Sequence, residues 1–85
     1  MVAVILDTGV LSFVTDRPGK SAEVTAVQTW LATLFAAGVL VCVPEICDYE
    51  LRRELLRAQK TSSLRRLDAL VAGAEYVPLT TPIMR

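Results

Sequence analysis

Val2-Ala3-Val4-Ile5-Leu6-Asp7 is an unbroken run of five apolar residues, three of them β-branched, closed by an acid. Such a run is the pattern of a strand covered on both faces in a parallel sheet, whereas a strand with one wet face alternates. A second run, Val39 to Val43, reads as its partner. Parallel partners need a crossover of a dozen or more residues, usually helical. The sequence between them supplies one. After a polar loop containing Asp16, Arg17, Pro18 and Gly19, Ser21 is placed to cap a helix with Glu23 in its first turn, running to about Ala37. Its apolar stripe is Val24, Val27, Leu31, Leu34 and Phe35, with Thr25, Gln28, Thr29 and Thr33 on the opposite side and Gly38 ending it. Strand, helix and strand in this order form a right-handed βαβ unit.

Downstream, Pro44 suits the first position of a new helix whose positive end Glu45 complements, continuing through Ile46 to Gln59. Thr61 or Ser62 caps the next helix, which carries Leu64, Leu67 and Val71 as its stripe and closes at Gly73. A short third strand follows over Glu75 to Leu79, and Thr80-Thr81-Pro82 is a further helix start. No repeat, linker or low-complexity tract divides residues 1–85, so a single α/β domain is expected.

The composition narrows the chemistry. The 85 residues are 53% hydrophobic and 21% charged, with nine basic and nine acidic groups and no histidine. Disorder is excluded by the hydrophobic content, and histidine-based triads and zinc sites by the missing imidazole. Cys42 and Cys47 lie five apart among apolar neighbours, which is not a C-x-x-C motif; buried reduced thiols and a cytoplasmic protein are expected. Val24 to Pro44 carries no charge, long enough to raise a membrane span, but its stripe is amphipathic, so no membrane segment is expected. Asp7 interrupts the first apolar run and no basic segment precedes it, against a secretory signal.

Ligands of open α/β sheets bind beyond the carboxyl ends of the strands, where Asp7 stands. An Asx-turn, with its carboxylate accepting from Thr8-Gly9-Val10 N–H groups, is an equally good account of that residue. The helix after the second strand brings Glu50 round within two turns of its start; Glu54, one turn on, is an alternative, and Asp48 points about 160° away from Glu50 on the helical wheel. Two carboxylates without imidazole or thiolate suit a hard cation such as Mg²⁺ or Mn²⁺. Such a cation activates water and neutralises charge developing on a phosphodiester. Charge is also unevenly spread. Residues 1–49 carry a net −3, while residues 50–70 carry a net +3 from Arg52, Arg53, Arg57, Lys60, Arg65 and Arg66. That patch is either a phosphate-binding surface or a solvated face in which Glu50 and Glu54 pair with Arg53 and Arg57.

Three stretches together resemble the PIN domain of VapC-type toxins. They are Val4-Ile5-Leu6-Asp7-Thr8-Gly9-Val10-Leu11, the run from Val41-Cys42-Val43-Pro44-Glu45 through Asp48-Tyr49-Glu50-Leu51-Arg52-Arg53-Glu54-Leu55, and Leu64-Arg65-Arg66-Leu67-Asp68-Ala69-Leu70. The resemblance implies a three-layer α/β/α fold on a parallel central sheet, of which the chain corresponds to the amino-terminal two-thirds. It further implies a Mg²⁺- or Mn²⁺-dependent endoribonuclease with Asp7 and Glu50 as metal-binding acids and Thr8 as a supporting hydroxyl, a cognate antitoxin protein and a homodimer. In the family a third and often a fourth acid come from a segment beyond the third strand. The chain stops before that segment, so weak or absent activity is expected, and the competing expectation is a non-catalytic remnant that dimerises or binds an antitoxin.

Two other families fit less of the chain. Asp7-Thr8-Gly9 matches the aspartic-protease triplet, but that fold is almost all strand and Val10 replaces its usual small residue. Phosphatases of the haloacid-dehalogenase type place a second aspartate two residues after the first, where this chain has Gly9.

Overall fold

The structure, a computed structural model, describes residues 2–78. The expected helix start at Thr80 and the last residue of the expected third strand, Leu79, lie outside the described residues. In chain order the elements are β1 (Ala3–Ile5), α1 (Thr8–Thr15), α2 (Ala22–Ala36), β2 (Leu40–Pro44), α3 (Glu45–Arg57), α4 (Thr61–Gly73) and β3 (Glu75–Val77). The strands form a parallel sheet in the order β1-β2-β3, with Ile5 opposite Cys42 and Cys42 opposite Glu75. This is the α/β arrangement expected, and its helices exclude the all-strand protease alternative.

Each crossover advances one strand in the same direction, and right-handed connections then put every intervening helix on one face. Burial follows that rule. Val4, Leu6, Val41, Val43 and Tyr76 face a core completed by Leu11, Leu31, Leu51, Leu55, Leu67 and Leu70, which come from all four helices. On the other face Ile5 is 70% exposed and Val77 43%. The run Val2 to Leu6 is therefore not covered on both faces among the described residues. These residues make two layers, and the second helical layer of the α/β/α arrangement is not among them.

Helix α1 replaces the loop expected after Asp7. Asp7 is its N-cap, and Val10, Leu11 and Val14 recur at the spacing that buries one side of a helix, with Leu11 wholly enclosed. Its last carbonyls have no partners within the helix and are satisfied from elsewhere. Gln28 Nε2 donates to the carbonyls of Phe13, Val14 and Asp16 at 3.3, 3.2 and 3.0 Å, and Arg66 Nε donates to Thr15 O at 2.8 Å. Gln28 thus faces α1 rather than the polar side assigned to it, while Phe35, placed in the apolar stripe of α2, is 42% exposed.

The remaining helix ends follow local chemistry. Ser21 accepts from Val24 N at 3.1 Å, and Gly38, at φ 72°, closes α2 through Gly38 N to Phe35 O and Val39 N to Leu34 O. Pro44 is the N-cap of α3 rather than its first helical residue, because it is still paired to Val77 as the last residue of β2. Helix α3 ends in the same motif as α2, but with Gln59 at φ 57° where glycine is usual. That reversal leaves only Lys60 to precede α4, so α4 starts at Thr61 without the expected Thr61 or Ser62 side-chain cap. No described helix is long and apolar enough to cross a membrane.

Candidate functional site

The carboxyl end of β1 leads directly into Asp7 and Thr8, and α3 leaves the adjacent β2 at the same edge of the sheet. Thr8 Oγ1 donates to Glu50 Oε1 at 3.1 Å, so residues 42 apart in sequence meet. Asp7 Oδ1 accepts from Val10 N at 2.8 Å, the side-chain cap of α1. Both accounts of Asp7 are therefore compatible. The cap fixes the carboxylate through one oxygen and leaves an exposed group beside the Thr8–Glu50 pair.

Glu54 and Asp48 are drawn elsewhere. Glu54 pairs with Arg57 on the solvent side of α3, which holds its carboxyl below the usual range and the guanidinium above it. Asp48 is only 7% exposed. It accepts from Arg52 Nη2 at 3.0 Å and from the Tyr76 hydroxyl at 2.9 Å. Burial, and then the hydrogen bond to Asp48, raises the Tyr76 phenol above its ordinary 10.0. Among the described residues no group of three or more histidine, cysteine, aspartate or glutamate side chains is placed to hold a metal ion. What the structure joins at this edge is the Thr8 hydroxyl and the Glu50 carboxylate, with Asp7 next to Thr8 in the chain.

The expected cationic patch is divided by the fold. Arg52 bridges Asp68 at 2.6 Å and Asp48, tying α4 to α3, and its pKa rises chiefly through the Asp68 contact. Its charge is thereby spent within the protein, as is that of Arg57 on Glu54. Arg53 and Arg65 are exposed, and Glu50 meets Thr8 rather than Arg53. Lys60 and Arg66 instead line an open cleft of about 560 Å³ together with Arg17 and Lys20, which were read only as part of the loop and its margin. Cys42 is buried and Cys47 half-buried, both as free thiols.

No family model, no curated protein and no solved structure matches the chain. Two hard oxygen donors and a hydroxyl at the carboxyl edge of a parallel sheet suit a hydrated divalent cation; Mg²⁺ is commonly held through one or two carboxylates while keeping several waters and substrate phosphate oxygens.

Proposed function

We propose that the chain carries the divalent-cation site of a PIN-like endoribonuclease, with Asp7 and Glu50 as the metal-binding acids. The observation that carries this reading is the Thr8–Glu50 hydrogen bond, which brings the β1 terminus and α3 together at the sheet edge. Mg²⁺ or Mn²⁺ bound there supplies an activated water and neutralises charge on a scissile phosphate. The protein's own part is positional. The α1 cap orients Asp7, Thr8 steadies Glu50 through a donated hydrogen bond, and the exposed carboxylates leave room for the hydration shell and for substrate. A cytoplasmic location and an antitoxin partner belong to this reading as well.

The test is RNA cleavage by the purified chain with Mn²⁺ present. Loss of cleavage on Asp7→Asn and on Glu50→Gln is the expected outcome, each by at least about 100-fold, the scale of several kcal/mol of lost charge stabilisation. Cleavage unchanged in both variants would contradict it.

A second reading rests on a specific observation. The described residues supply two of the acids such a site uses and leave the Ile5–Val77 face of the sheet open. A non-catalytic module that dimerises or binds an antitoxin accounts for both. A chain that binds its partner but cleaves no RNA in Mn²⁺ favours this alternative.

A further inference from the structure

The cleft at the far end of α1 has chemistry that the acidic pair does not use. Four cations from three segments converge on it: Arg17 and Lys20 from the loop before α2, Lys60 from the α3–α4 junction, and Arg66 from α4. Asp16 is the one acid among its lining residues, so the lining carries a net +3. Backbone contact with Arg17 and then the Lys20 ammonium, 3.2 Å away, hold the Asp16 carboxyl in its ionised form, which fixes the loop at the rim. The hydroxyls of Thr61 and Ser62 add neutral donors.

We propose that this cleft binds backbone phosphates of a single-stranded RNA, beyond the bond presented to Asp7 and Glu50. The identity of the strand rests on the ribonuclease reading; the anion site rests on the cleft. At about 560 Å³ the space exceeds a single phosphate. Asp7 and Asp16 stand at opposite ends of α1, whose eight residues span about 12 Å at 1.5 Å per residue. Arg66 is anchored by Thr15 O and Ser63 Oγ, so it enters as a fixed cation, whereas Arg17, Lys20 and Lys60 extend from exposed backbone.

The experiment is binding of a labelled single-stranded oligoribonucleotide in EDTA, over a series of salt concentrations. The wild-type chain is compared with Arg17→Gln/Lys60→Gln and with the control Arg53→Gln/Arg65→Gln. The cleft variant is expected to bind about tenfold more weakly, with its salt slope reduced by about 1.4, the value for two lost phosphate contacts on a single strand. Unchanged affinity and slope in the cleft variant, or an equal loss in the control, overturns the proposal. Binding through the cleft without cleavage in Mn²⁺ would leave the phosphate site standing and remove the nuclease reading. Cleavage without any cleft dependence would do the reverse.

Discussion

Asp7 carries two roles that substitution can separate. Asparagine caps a helix about as well as aspartate, so Asp7→Asn should leave stability within about 0.5 kcal/mol of the wild type while removing the charge. Asp7→Ala should cost about 1 kcal/mol as well, because Val10 N loses its acceptor. Chemical denaturation of the two variants checks this. Tyr76 offers a test with a pH signature. Its phenol is raised in the folded chain, so its contribution to stability is fully present below the ordinary 10.0 and is lost as pH rises through that value and beyond. Tyr76→Phe should cost about 1 kcal/mol at neutral pH and flatten the alkaline decline in unfolding free energy. The placement of Glu50 at the carboxyl end of β1 was legible because a strand terminus and a helix period fix where side chains go. The fate of Arg52 was not, because its partner Asp68 lies 16 residues away on another helix.

Among the elements, the strands and the three longer helices could be read from apolar runs and periodicity, and α1 could not. Its signal was present in Asp7 followed by Val10, Leu11 and Val14, but eight residues give barely two turns, and such a helix is marginal alone. It persists because Gln28 and Arg66, from α2 and α4, satisfy its terminal carbonyls, and contacts across 15 and 51 residues leave no local trace. The end of α3 was equally opaque. A left-handed turn invites a search for glycine, and Gln59 occupies it instead. Gln59→Gly should therefore stabilise the chain by about 1 kcal/mol, relieving the left-handed strain at the cost of a more flexible unfolded chain. A rise in the thermal midpoint is the readout, and a fall would contradict the assignment.

For the molecule as a whole, one-sided coverage of the sheet is the dominant fact. The sequence placed apolar residues on both faces of β1, and residues 2–78 enclose only one of them, leaving Ile5 70% exposed. Among the described residues β1 and β3 are edge strands, and open apolar surface beside such edges favours association. The chain should therefore sediment as more than a monomer at micromolar concentration, and Ile5→Lys should shift it toward monomer. A monomeric wild type that melts cooperatively would contradict this. The same architecture sends both crossovers over one face and brings the carboxyl ends of β1 and β2 to a common edge, which is what lets Thr8, next to Asp7, meet Glu50.

Mn²⁺ titration followed by amide NMR decides whether this edge holds a divalent cation. Paramagnetic broadening at substoichiometric Mn²⁺ should fall first on residues 7 to 10 and on Glu50 and its neighbours, and Glu50→Gln should weaken it by about tenfold, the effect of losing one of two carboxylate ligands. Broadening centred on Asp16 or Glu54, or a pattern unchanged by Glu50→Gln, would contradict a cation site at this edge.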